Sequence, residues 1–130
     1  MNIRKNGPTV LITTLPGELY SLGIIMCAVV TSVTSSKVIY LGVDNPLEDI
    51  ISTAENYKPE IITMSISHAF DPTTAENLLF KLRSELNSKT SMITGGKGSP
   101  CNIPGISYIP SFDKYYDFLS NFNQPEKTKV

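Results

Sequence analysis

The sequence predicts an α/β domain with a doubly wound, five-stranded parallel sheet and helices on both faces. Short runs rich in β-branched residues are separated by stretches with helical periodicity. The runs are apolar throughout rather than alternating, which indicates strands buried on both faces. The chain of 130 residues suffices for one domain with a sizeable core. With right-handed crossovers, the predicted order βαβαβαβαβα corresponds to a flavodoxin-like, Rossmann-like fold.

Five apolar runs are the predicted strands. In chain order they span residues 9–14, 37–42, 60–65, 91–94 and 106–109. Polar segments at the two ends, 1–8 and 124–130, are predicted to be tails on either side of one domain at 9–123.

The connections between the strands carry helix signals. Residues 19–34 are apolar nearly all round, so this helix is expected to be buried, partly against a partner. The later helices are expected to begin at short polar N-cap residues, namely Asn45 before Pro46, Asp71 before Pro72, and either Ser111 or Asp113.

Composition and charge exclude several classes of function. Eleven basic and twelve acidic residues give a net charge of −1, and no Lys/Arg cluster exceeds a pair, so nucleic-acid binding is not expected. Cys27 and Cys101 form no CxxC pair, which suits a reducing compartment. The most apolar stretch, 22–33, is too short to span a bilayer. We therefore expect a soluble, cytoplasmic protein that makes no membrane contact.

The loops after strands one, three and four are the candidate site, because ligands of doubly wound sheets bind beyond the carboxyl ends of the strands. These loops carry small, hydroxylic or polar residues: Glu18, Tyr20, Gly23, Ser65, Ser67, His68, Gly95 and Gly96. Glycines allow a ligand to approach closely, and hydroxyls supply hydrogen bonds. Receiver-domain, flavodoxin, Walker A and dinucleotide motifs are all missing at these points.

Three motifs in these loops resemble those of the cobalamin-binding domain. That family, found in corrinoid enzymes and light-sensing MerR-type transcription regulators, carries Asp/Glu-x-His-x-x-Gly, Ser-x-Leu and Gly-Gly after the same three strands. The matching residues here are Glu18-x-Tyr20-x-x-Gly23, Ser65-Ile66-Ser67 and Gly95-Gly96. The runs 16–23 and 38–51 are most similar to the regulator branch. The resemblance implies a tunnel for the nucleotide tail of cobalamin, lined by Ser65, Ser67, Gly95 and Gly96.

Tyr20 is the main departure from the family pattern. In the family, the histidine at this position ligates cobalt, and the acid two positions earlier orients its imidazole. A neutral phenol is a poor ligand, so His-ligated cobalamin at position 20 is excluded. Without its histidine, Glu18 is expected to cap the following helix. His68 is the one imidazole that could bind cobalt or haem iron. The alternative is that His68 has a structural role only.

A second departure concerns the upper face of the cofactor. In the family a helical bundle precedes the domain and covers this face, whereas about eight residues precede strand one here. A bound corrinoid is therefore expected to need a cap from another chain.

The expected function is a non-enzymatic sensory or regulatory module on this scaffold. Three versions stay open: cobalamin that keeps its own benzimidazole on cobalt, haem, or no tetrapyrrole and action through a protein partner or homodimer. No catalytic triad and no metal site built from protein side chains is predicted. The alternative function is a corrinoid-carrier subunit of a methyltransferase or mutase.

Overall fold

The computed structural model describes residues 7–122, which form five strands and four helices. The elements in chain order are β1 (Thr9–Thr13), α1 (Leu22–Ser32), β2 (Lys37–Gly42), α2 (Leu47–Tyr57), β3 (Ile61–Ser65), α3 (Pro72–Glu85), β4 (Ser91–Gly95), β5 (Ile106–Tyr108) and α4 (Phe112–Asn121). Each strand lies within one residue of its predicted bounds. Apart from Gly7 and Pro8, the two predicted tails lie outside the described residues.

The sheet has the order β2-β1-β3-β4-β5, and every neighbouring pair is parallel. This is the flavodoxin-like order, so the predicted fold class is confirmed. The chain reverses its winding between β1 and β3, and ligands of such sheets bind at that switch point. The loops that follow these two strands therefore face a common crevice.

Two apolar layers flank the sheet. Val10 and Ile12 point toward the layer under α1 and α4, whereas Leu11 points toward the layer under α2 and α3. All three side chains are fully buried because successive residues of a strand face opposite sides of the sheet. The fold thus has the predicted helices on both faces.

The segment between β4 and β5 differs from the predicted order, which places a helix there. Residues 96–105 are all described and contain no helix. Gly96 and Gly105 adopt positive φ angles of 100° and 83°, and Pro100 and Pro104 lack a backbone N–H. These four residues break any helical run, so β5 is reached through turns.

Helix α1 was expected to be buried, partly against a partner, and the chain itself buries one of its faces. The helix begins at Leu22, three residues later than predicted. Its buried residues are Ile24, Cys27 and Thr31, and the helix packs against the sheet and α4. Its opposite face exposes Leu22, Ile25, Met26 and Val29, and Val33 just after the helix is exposed as well. The described chain packs α1 on one side only. No helix within residues 7–122 has the length and apolarity to cross a membrane.

Two of the predicted N-caps are confirmed. The Asp71 carboxylate accepts a hydrogen bond from Thr74 N at 2.9 Å, with Pro72 in the first turn of α3. The Ser111 hydroxyl, rather than Asp113, accepts from Lys114 N at 3.2 Å and begins α4.

Asn45 does not cap α2, contrary to prediction. Its Nδ2 donates to Thr13 Oγ1 at 3.0 Å and to the Gly42 carbonyl at 2.9 Å, and Pro46 occupies the N-cap position. The side chain does not bond to the helix because the Thr13 hydroxyl at the end of β1 and the Gly42 carbonyl at the end of β2 accept its hydrogen bonds. Asn45 therefore joins the carboxyl ends of two neighbouring strands.

Candidate functional site: a cavity beyond the carboxyl ends of the strands

A cavity of about 930 Å³ opens beyond the carboxyl ends of β1, β3 and β4 and extends between α1 and α4. This volume is at the upper end of the usual range for small-molecule sites. Its helix walls and floor are contributed by Leu22, Met26, Cys27, Thr63, Ile93, Thr94, Phe112 and Tyr115. The walls are mainly apolar, with hydroxyl groups from the sheet.

All eight candidate residues predicted from the sequence line this one cavity: Glu18, Tyr20, Gly23, Ser65, Ser67, His68, Gly95 and Gly96. Three loops separated by tens of residues meet here because parallel strands end at the same edge of the sheet. Their role in holding a cofactor stays a prediction.

Glu18 joins two of the loops. Its side chain is 4% exposed, and its carboxylate accepts hydrogen bonds from Ser67 N at 2.7 Å, Ser67 Oγ at 3.1 Å and Tyr20 N at 3.1 Å. The expectation that Glu18 caps α1 is wrong, because α1 begins four residues later and the carboxylate is directed to Ser67 instead. Glu18 therefore holds the loop after β1 against the loop after β3.

Glycines permit the close approach of these loops. A Cβ at Gly23 would lie 2.1 Å from Ser65 Oγ. A Cβ at Gly96 would lie 2.3 Å from the Ile66 carbonyl oxygen, and the residue also has a positive φ. A Cβ at Gly98 would lie 1.9 Å from the Ser67 carbonyl oxygen. Gly98 is not among the residues predicted from the sequence, because its close contact is with the backbone of a loop about 30 positions earlier.

Tyr20 and His68 lie on opposite loops at the rim of the cavity. Tyr20 is 56% exposed, and its backbone N–H is held by Glu18. His68 is also exposed and belongs to a turn closed by a hydrogen bond of 3.1 Å from Phe70 N to the Ser67 carbonyl. Both side chains are thus open to a ligand at the mouth of the cavity.

Tyr115 lies at the deep side of the cavity and is not among the candidate residues predicted from the sequence. Its hydroxyl pairs with Thr31 Oγ1 at 2.9 Å and Thr63 Oγ1 at 3.0 Å. Burial raises the pKa of Tyr115 to about 12, and burial likewise raises the pKa of the Cys27 thiol to about 12. Both groups are therefore uncharged at neutral pH. The periodic position of Tyr115 in α4 could not reveal these two distant partners.

Within residues 7–122, no three His, Cys, Asp or Glu side chains are grouped so that they could hold a metal ion. The side chains at the cavity instead offer hydroxyls, the Cys27 thiol, the Lys97 ammonium, one carboxylate already engaged, and one imidazole.

No protein-family model matches the sequence, and no curated protein matches it. The structure is similar to several solved structures. A cobalamin-binding protein from Desulfitobacterium hafniense DCB-2 has a TM-score of 0.74 at 18% identity, covering 88% of this chain and 57% of that one. The methanol:cobalamin methyltransferase complex MtaBC from Methanosarcina barkeri has a TM-score of 0.75 at 16% identity, covering 91% and 46%. The monomethylamine corrinoid protein of Methanosarcina barkeri has a TM-score of 0.68 at 17% identity, covering 87% and 57%.

At these identities the similarity concerns the fold. This chain spans about half the length of the solved chains that it matches. It therefore shares the flavodoxin-like fold of solved cobalamin-binding and corrinoid proteins, and the cavity described above opens at the switch point of that fold.

Proposed function

We propose that this chain is a corrinoid-binding domain whose cavity between α1 and α4 receives the nucleotide tail of cobalamin. One observation carries the proposal: the three loops that resemble cobalamin-binding motifs line a single cavity of about 930 Å³. The fold shared with a cobalamin-binding protein and with two corrinoid proteins of methyl transfer supports it.

The residues around the cavity fit such a tail. The Ser65 hydroxyl lines the cavity beside Gly23 and makes no hydrogen bond to another described residue, so it can pair with a ligand. Gly95 and Gly96 add no side chain to the lining after β4, where Lys97 is the next residue. The Tyr115 and Cys27 groups of the deep wall are uncharged at neutral pH. We infer that Ser65 hydrogen-bonds the tail and that the apolar walls exclude water from it.

The residue at position 20 differs from the histidine that ligates cobalt in the cobalamin-binding family. Tyr20 occupies the place of the histidine, and the Glu18 carboxylate that would orient an imidazole is already engaged by Ser67 and by the Tyr20 backbone. We therefore infer that residue 20 does not ligate the cobalt.

For the biological role, we favour a carrier of methyl groups over the sensory module that the sequence predicted. The names of two structural neighbours, a methanol:cobalamin methyltransferase complex and a monomethylamine corrinoid protein, support this choice. The relation to MerR-type regulators depends on runs 16–23 and 38–51 alone. When bound, the cobalt of the corrinoid would accept and release the methyl group. A methyltransferase subunit is the expected protein partner.

The test is a spectroscopic titration of the purified chain. Hydroxocobalamin should bind with a saturating change in absorption, and cobinamide, which lacks the nucleotide tail, should bind at least about tenfold more weakly. Haemin is the comparison ligand. Binding of haemin alone, or of neither corrinoid, would overturn the proposal.

A matched pair of variants tests the position of the tail. Met26 lines the cavity, whereas Val29 lies one turn further along α1 and outside the cavity. We expect Met26→Trp to narrow the cavity and weaken cobalamin binding, while Val29→Trp leaves it unchanged. Equal effects of the two substitutions would place the tail elsewhere.

A further inference from the structure

We propose that His68, rather than Tyr20, would supply the protein nitrogen that binds the cobalt of a corrinoid held at this cavity. The inference rests on the proposed function and adds a ligand from the loop after β3. His68 is the single histidine of the chain and lines the rim of the cavity. No described residue hydrogen-bonds its imidazole, so both ring nitrogens are open to a new partner.

The Glu18 carboxylate braces the turn that carries His68. It accepts from the N–H and the hydroxyl of Ser67, the residue immediately before His68. The same turn is closed by the hydrogen bond from Phe70 N to the Ser67 carbonyl. Glu18, in the loop after β1, therefore fixes the backbone immediately before His68 in the loop after β3.

Gly98 holds the turn from its other side. Its N–H donates to the Ile66 carbonyl at 3.0 Å, and a Cβ at Gly98 would lie 1.9 Å from the Ser67 carbonyl oxygen and 3.2 Å from His68 Cα. The backbone at Ser67 and His68 is thus held by Glu18 of the loop after β1 on one side and by Gly98 of the loop after β4 on the other. A ligand on a fixed backbone loses less conformational entropy on binding than one on a mobile loop.

The chemistry requires no co-reactant beyond the corrinoid. In a bound corrinoid, a His68 nitrogen would donate its lone pair to the cobalt in place of a water, so one Co–N bond would form and one Co–O bond would break. No electron is transferred in this step. The oxidation state of the cobalt is unchanged.

Electron paramagnetic resonance of the chain saturated with cob(II)inamide tests the proposal. Because cobinamide has no benzimidazole, any nitrogen that splits the cobalt lines must come from the protein. We expect triplet splitting with the wild-type chain, which becomes doublet splitting when histidine is labelled with ¹⁵N. His68→Ala should abolish the splitting, and Tyr20→Phe should retain it.

The outcomes separate this inference from the proposed function. Bound corrinoid without nitrogen splitting, or splitting that persists in His68→Ala, would overturn the ligand assignment and leave the corrinoid-binding domain intact. No corrinoid binding by the wild-type chain would overturn both. His68 is exposed, so thermal melting of His68→Ala should match the wild type and show that the loss is not one of folding.

Discussion

The Glu18 carboxylate accepts hydrogen bonds from the backbone N–H and the hydroxyl of Ser67, at 2.7 and 3.1 Å, across 49 positions of sequence. This contact holds together two loops that line the cavity, at the switch point between β1 and β3. Because the Glu18 carboxylate is almost completely buried, these donors supply the hydrogen bonds that water would otherwise give to the carboxylate. Glu18 thus sets the shape of the cavity mouth.

Glu18→Gln should destabilise the fold by about 1–3 kcal/mol, because the amide nitrogen of glutamine would face backbone N–H donors that now bind a carboxylate. Chemical denaturation measures the change. Ser67→Ala removes only the hydroxyl and should cost less than Glu18→Gln. Equal stability of Glu18→Gln and the wild type would show that the Glu18–Ser67 contact contributes nothing to the fold.

Gly23→Ala should destabilise the chain by about 1–3 kcal/mol, because its Cβ would overlap the Ser65 side chain. Ser65→Gly removes both atoms that this Cβ would meet. In the double variant, the cost of Gly23→Ala should therefore fall sharply, and a double-mutant cycle of unfolding free energies measures this coupling. Additive costs would contradict the close contact.

Ile24 and Ile25 are neighbours in α1 with opposite environments, the first fully buried and the second 44% exposed. Ile24→Ala should lower the free energy of unfolding by about 2–5 kcal/mol because it leaves a cavity in the core. Ile25→Ala should change it by less than about 0.5 kcal/mol. Similar losses in the two variants would mean that the exposed face of α1 is covered within the chain.

Alkaline pH should destabilise the protein through Cys27. Its pKa is raised by burial from 9.0 to about 12, so the folded state holds its proton more tightly than the unfolded state. The resulting stability is complete below about pH 9 and is lost as the pH rises toward about 12, by up to about 1.4 kcal/mol per pH unit.

Cys27→Ala removes this contribution and should flatten the pH profile of the unfolding free energy above pH 9. The raised pKa of Tyr115 contributes a smaller loss of stability above its ordinary value of 10.0 in both chains. Parallel profiles for the variant and the wild type would contradict the assignment to Cys27.

Much of the fold could be predicted because its signals are local. The apolar runs identify the strands, and Asp71 and Ser111 identify two helix starts, since each N-cap bonds to a residue only three positions away. The candidate loops could also be predicted, because parallel strands bring their carboxyl ends to one edge. The missing helix between β4 and β5 could have been anticipated from Pro100 and Pro104.

Other features depend on partners distant in sequence. The local pattern predicts that Asn45 caps α2, yet its side chain donates a hydrogen bond to Thr13, 32 positions away. Tyr115 fits a helical stripe, yet its hydroxyl pairs with Thr31 and Thr63, 84 and 52 positions away. Periodicity reports which face of an element is apolar and says nothing about which polar groups meet across the sheet.

The sequence by itself determined the parallel sheet and the loops that line the cavity, since these follow from local pattern and residue identity. Only the tertiary structure decided that the Glu18 carboxylate binds Ser67, that Gly98 packs against the turn of His68, and that one face of α1 stays exposed. The physical reason is that hydrogen bonds and burial depend on distances between loops, which the packing of the whole sheet sets.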